Sequence, residues 1–375
     1  MELNHFSIKS IVSKVFVESY KKTIKRFLFI SLAIILLKFV VQCEGKDRYY
    51  RPNLPEKLCS VGIIDADDTS DYDFFPESFD NRTSARFISF EKSYQEEYPG
   101  EVNDSLREFS FSISSSDEEL FSFNSDAAIK NFKGFKIPAD IDFRTDEKYY
   151  LHAQEQNTPE ISAVIEVPEI PSKPNLISLE NEITQLPRPT ECIGYTEAKT
   201  SVIDFSFDSY GQQDHYYAIL LEGIGSNLSS SFPIHRSQLE FAVRHSNTAG
   251  FFASMNGFTM YQFTCLNNRS TMIKVPVYAY FIEGSKIPDN KCIIKISTQF
   301  LDDRAPFEFI SMLRVRLLSI PKELFLFEKS LYTYKQTSSD PFTEPVYLNG
   351  NIKGGNGVFA ICRSSEFSIK FSPWY

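Results

Sequence analysis

Histidine, tryptophan and methionine are scarce in this chain: five, one and five in 375 residues. No two histidines among His5, His152, His215, His235 and His245 stand at the short spacing of a zinc motif. Asp214-His215 with His235 and His245 would make a metal site only if separate strands met, so the histidines are read as surface or half-buried residues and no metal is expected. Basic residues are also few, 39 against 49 acids. Beyond residue 42 the balance is 32 to 47, a net of −15. That excludes a nucleic-acid binder, which needs basic surface to displace counterions. The longest mainly apolar run is 11 residues with Ser31 inside it, about half of what crosses a bilayer core. No Ser-His-Asp order, Cys-His pair or close carboxylate pair stands out, so no catalytic residue and no cofactor is expected. The lone Trp374 is read as a packing residue rather than a sugar-stacking one.

What is abundant is aromatic. The chain has 35 Phe and 19 Tyr, and aromatics make up 15% of it. Such residues suit pleated, half-buried surfaces, which points to a mainly β protein. The length allows two or three domains.

The N-terminus decides the compartment. Lys21, Lys22, Lys25 and Arg26 precede FLFISLAIILL (27–37), and Lys38-Phe39-Val40-Val41-Gln42-Cys43 follows. A basic flank with a short apolar run is the shape of a secretory leader. Three fates fit Cys43. The chain is cut before it and the new terminal cysteine carries lipid; or it is cut and released; or the run stays as a short anchor with Lys38 snorkelling to the interface. The first is the reading taken, with residues 1–42 as signal peptide, although Gln42 departs from the small residue usual there. The long segment before the run points to a translation start downstream of Met1. Residues 43–55, charged and then carrying Pro52 and Pro55, read as a lipidated extended tether.

Residues 56–170 read as an immunoglobulin-like β-sandwich. Short alternating runs recur at 60–64, 85–90, 108–114, 148–153 and 161–167, with turn-rich pieces between them. In the expected closing hairpin, KYYLHAQEQNTPEISAVIEVP (148–168), the inward residues are Tyr150 and His152, then Ile161, Ala163, Ile165 and Val167. PEIPSKPNLIS (168–178) is the expected boundary. A larger β domain, sandwich or barrel-like, follows over 171–375. Its strands are expected at 201–207, 216–222, 238–243, 259–264, 275–283, 292–300 and 358–364. One helix is expected near 321–335, with Leu324, Phe327, Leu331 and Tyr334 on its apolar stripe after Pro321.

DADDTSDYD (65–73) lacks the Asp-x-Asp-x-Asp-Gly order of a calcium loop and reads as solvated. GNIKGGNG (350–357) lacks the Gly-Lys-Ser/Thr of a phosphate loop and precedes a strand, so it reads as a tight turn. Cys265–Cys292 and Cys192–Cys362 are possible bridges, and buried free thiols are equally compatible, Cys59 included.

The end of the chain, DPFTEPVYLNGNIKGGNGVFAI (340–361), carries a resemblance. Asp340, Phe342, Glu344, Pro345, Asn351, Ile352, Gly354, Gly355, Gly357 and Phe359 resemble the C-terminal signature of domain-of-unknown-function family 4249. His215-Tyr216-Tyr217 is similar to a strand of that family, with His215 in place of Asn. The family consists of lipoproteins of Bacteroides-type bacteria, which look like companions of TonB-dependent, SusC-like transporters. The resemblance implies a surface-facing outer-membrane lipoprotein fixed through Cys43, a non-catalytic accessory for nutrient capture or delivery, with such a transporter as partner. It brings no catalytic residues and leaves the ligand unnamed. A structural or adhesion lipoprotein without a transporter is the alternative.

Overall fold

A computed structural model describes residues 57–68, 86–92, 106, 108–126, 134–156, 158–184, 198–210, 214–226, 235–238, 241–266, 269–301, 309–337 and 346–370. The leader, Cys43 and the tether, Cys192, the stretch Asp340–Pro345 and Trp374 lie outside them.

The first strands are β1 (Leu58–Asp65), β2 (Arg86–Lys92), β3 (Phe109–Ser114), β4 (Glu119–Ser125), β5 (Phe135–Lys136), β6 (Lys148–Gln154) and β7 (Ile161–Glu166). Next come β8 (Asn175–Thr184), β9 (Ala198–Asp208), β10 (Tyr216–Ser226), β11 (His235–Gln238), β12 (Phe241–Ser246), β13 (Gly250–Leu266) and β14 (Arg269–Glu283). The last are β15 (Lys291–Leu301), β16 (Phe309–Ile320), the helix α1 (Lys322–Thr337) and β17 (Asn356–Lys370). The protein is mainly β, as its aromatic and β-branched content implies.

Three sheets form among the described residues, and none closes into a barrel. A nine-stranded sheet runs β13-β14-β10-β16-β17-β1-β2-β5, with β11 on β10. Two four-stranded sheets run β12-β15-β9-β8 and β4-β3-β6-β7. The long sheet is the spine, and each small sheet packs on one part of it. Leu58, Ile64, Ile88, Phe90, Phe359 and Ile361 of the spine pack with Phe109, Phe111, Leu151 and Ile165 of the β3–β7 sheet. Rings of Phe90, Phe109, Phe111, Phe121, Phe123 and Phe135 interlock here; Phe123 and Phe135 have centroids 4.4 Å apart. This sandwich is compatible with the immunoglobulin-like expectation. At the other end Tyr217, Ile219, Leu221, Val315 and Leu317 pack on Phe205, Phe207, Ile294 and Ile296.

Strand β17 joins the two halves. Its first seven residues pair with β1 in parallel, Cys59 opposite Asn356 through Asp65 opposite Cys362. Its last eight pair with β16, Arg363 opposite Ser319 through Lys370 opposite Met312. Residues 56–375 therefore form one compact unit. The boundary expected at 168–178 is bridged by the last strand, and its second part, Asn175–Thr184, is itself strand β8. Proline fits the connection before β8 because it cannot donate to a ladder.

Helix α1 covers the remaining face of the spine. Leu324, Phe325 and Phe327 pack on Ile63, Ala218, Phe281, Val358 and Ala360. Phe325 lies 4.6 Å from the Tyr216 ring. The stripe differs from expectation at its end, where Tyr334 is exposed. The last turn of the helix is exposed, and a tyrosine tolerates water at its hydroxyl. β1 and the first half of β17 thus bury both faces, which explains their continuous apolar runs.

In the hairpin of β6 and β7 the inward residues of β7 are those expected, Ile161, Ala163 and Ile165. On β6 the register is off by one. Tyr149, Leu151 and Ala153 point inward, while His152 is exposed. A one-residue slip exchanges faces, and Leu151 and Ala153 gain from burial where His152 does not.

Candidate functional site

The densest set of charges sits where β17 passes from one partner strand to the other. β1 ends there in a turn: the Ala66 N–H donates to the Cys362 carbonyl (2.9 Å) and the Asp67 N–H to Asp65 Oδ1 (3.0 Å). Arg316, on β16, reaches into this turn. Its guanidinium donates to Asp65 Oδ2, to Asp68 Oδ2 at 3.0 Å and to Glu222 Oε1 of β10 at 3.3 Å. Arg314 lies 3.9 Å from Glu222 Oε2 and 3.4 Å from Glu366.

Two further arginines close the turn. Arg86 donates to the carbonyls of Asp68 (3.1 Å), Pro138 (2.9 Å), Ile141 (3.0 Å) and Ala66. Arg363 grips both oxygens of Asp67, at 2.8 to 3.1 Å, and the Ser364 N–H donates to the same carboxylate at 2.7 Å. Its other amino group reaches the Phe143 carbonyl and Thr145.

Arg316 is 3% exposed and Asp65 1%. Burial pushes the Asp65 carboxyl above its usual range, against the pull of Arg316. Burial opposes the Arg316 charge, yet Asp65, Glu222 and Asp68 together hold it firmly protonated. No ligand reaches such a guanidinium without opening the fold. The cluster is a bolt between the halves of the spine. It corrects the solvated reading of 65–73: Asp65, Asp67 and Asp68 are consumed by arginines, and residues 69–73 lie outside the described residues.

The glycine loop is a second constructed feature. Gly354 has φ +79° and Gly357 φ +116°, so glycine is required at both. A Cβ on Gly357 would sit 1.8 Å from the Ser60 carbonyl oxygen. The Asn351 side chain bonds both backbone groups of Phe359, at 2.8 and 2.9 Å. Ile352 and Phe359 enter the core beside Leu58. The turn and the strand after it are as expected. Of the residues that carry the family resemblance, Asn351, Ile352, Gly354, Gly355, Gly357 and Phe359 thus shape the loop that seats β17 against β1.

The other singled-out residues do not converge. His152 pairs with exposed Glu160 at 3.1 Å. His215 stands beside the Tyr210 ring, 5.4 Å between centroids. His235 pairs with Gly225, nine residues along β10 from Tyr216, a run of about 30 Å. His245 is on another sheet, opposite Lys295. Cys292 and Cys362 are buried free thiols, so neither named bridge exists. No helix among the described residues is long and apolar enough to cross a membrane.

The sequence could have announced the bolt. Arg314 and Arg316 interrupt the apolar strand FISMLRVRLLSI, and Asp65 closes VGIID. Charges inside buried strands demand partners.

Among the described residues, fold and cluster define a non-barrel β protein of two sandwiches on one shared sheet. The chain belongs to the family described as Domain of unknown function (DUF4249), whose model matches residues 89–368. No curated protein matches it. Among solved structures, native α-L-rhamnosidase from Aspergillus terreus aligns with 63% of this chain at 10% identity and a TM-score of 0.24. The aligned part spans a quarter of that protein's length, and the likeness carries no argument about fold or activity.

Proposed function

We propose that this chain is an outer-membrane lipoprotein, fixed through lipid on Cys43 and facing the cell exterior. In this reading it is a non-catalytic accessory that captures a nutrient or delivers it to a TonB-dependent, SusC-like transporter. Membership of the family carries the reading, and the leader-like segment ending at Cys43 supports it. The rigid body is consistent with recognition through loops on a fixed scaffold. A multiply acylated cysteine suits stable anchoring, since each buried lipid CH₂ contributes about 0.8 kcal/mol.

Cells fed radioactive palmitate test the anchor. Label on the wild type and none on Cys43→Ala, with the wild type shaved from intact cells by protease, is the expected result. Equal label in both, or none in either, removes the anchor. Copurification from crosslinked cells then tests the partner. Recovery of a transporter supports delivery; a labelled, surface-exposed protein that recovers none is a structural or adhesion lipoprotein.

A further inference from the structure

The end of the body at which the chain enters carries an aromatic patch. Strand β1 begins at Leu58, one residue after the exposed Lys57. The glycine loop lies against this start: a Cβ on Gly355 would meet the Leu58 carbonyl at 2.2 Å, and one on Gly350 the Gly357 carbonyl at 1.9 Å. The Gly350 N–H donates to Leu348, and the Asn349 N–H to Ser330 Oγ of α1 at 3.0 Å. One turn on from Ser330, on the same helix face, stands Tyr334. Chain entry, loop and helix end thus share one end of the molecule.

Its surface departs from the rest of an acidic protein. Tyr347 is 86% exposed, and Tyr334 and Leu348 are each 48% exposed. Lys353, in the same loop, is exposed as well. Tyrosine beside lysine is the pairing favoured at a membrane surface, where the ring enters the headgroup layer and the ammonium meets phosphate.

We infer that Tyr334, Tyr347, Leu348 and Lys353 dock the body onto the phospholipid surface that holds its own anchor. The inference rests on the lipidation reading of Cys43. The connecting chain gives the occupant: 13 residues separate Cys43 from Lys57, a reach of at most about 45 Å. A connection of that reach holds the body within its own diameter of the bilayer, with chain entry as the point of attachment. Docking sets the orientation of the body and leaves the sandwich surfaces remote from chain entry open to a ligand or transporter.

Hydrogen exchange of the full lipidated chain in vesicles of phosphatidylethanolamine and phosphatidylglycerol tests it, with unlipidated Cys43→Ala mixed with the same vesicles as reference. Palmitate label is read on every sample. The expected result is severalfold slower exchange over 346–353 and 332–337 in the lipidated chain. Tyr347→Ser with Leu348→Ser should keep the label and lose that slowing. A labelled wild type with unchanged exchange overturns the docking and leaves the anchor standing. Absence of label overturns both. Slowing in whole cells but not in pure vesicles assigns the patch to a protein partner and overturns the lipid.

Discussion

Replacing Arg316 by methionine removes the counter-charge shared by three carboxylates and retains the apolar stem. The contacts to Asp68 and Glu222 are 3.0 and 3.3 Å long. At an effective dielectric of about 20, a pair at such distance attracts with roughly 5 kcal/mol before desolvation is counted. Deleting one partner of a buried pair costs about 3–5 kcal/mol, because the remaining charges stay desolvated. A total stability of about 5–15 kcal/mol makes that a large loss. The sign of its pH dependence is diagnostic. Without Arg316, the Asp65 carboxyl, already raised by burial, loses the charge that pulls it down and rises further in the folded state. The variant should therefore regain stability as pH falls through the raised Asp65 range, by up to roughly 1.4 kcal/mol per pH unit for the proton taken up. Urea unfolding followed by circular dichroism at several pH values measures both quantities. Arg316→Lys keeps a charge without the planar fork and should lose less; it is the variant to use if methionine prevents folding. A loss below about 1 kcal/mol, or one that does not shrink on acidification, would refute the bolt.

Three further outcomes follow from the geometry. Gly357→Ala forces a Cβ against the Ser60 carbonyl at positive φ and should cost more than about 2 kcal/mol or abolish folding; an unchanged urea midpoint would contradict the seating of β17. Burial pushes the Cys292 thiol up to about 12 and Cys362 well above its usual value, so iodoacetamide at pH 8 should modify neither in the native protein and both in urea. Burial raises the Tyr149 hydroxyl to about 12, so stability present below about pH 10 should be lost as pH rises from 10 to 12; Tyr149→Phe should make that loss smaller, with Tyr217 and Tyr280, also raised by burial, still contributing.

Periodicity made β7 legible because one face of that strand is buried and the other wet. It misled at β6, where Tyr150 and His152 alternate as well as Tyr149 and Leu151, and only the tertiary neighbour decides. Strand β16 gives no alternation, since Leu313 to Ile320 is buried on both faces, and reading by period passed over it. The partnership of Asp65 with Arg316 spans 251 residues of sequence, and no local pattern records it. The helix was legible because Leu324, Phe327 and Leu331 recur at helical spacing and Pro321 marks the start. The glycine loop was legible because its glycines meet requirements of φ and space that no other residue meets.

The parallel pairing of β1 with β17 bears on the order in which the molecule becomes whole. The first of the described strands has its place beside the last of them, with some 290 residues between them. Until residues 356–362 are made, Leu58 to Asp65 lack one ladder, and the slot in the middle of the spine stays open. Contacts so distant in sequence close slowly, because the loop must be fixed before it is rewarded. Strand β1 waits for residues 356–362, and a chain truncated before residue 356 would have no finished spine at all.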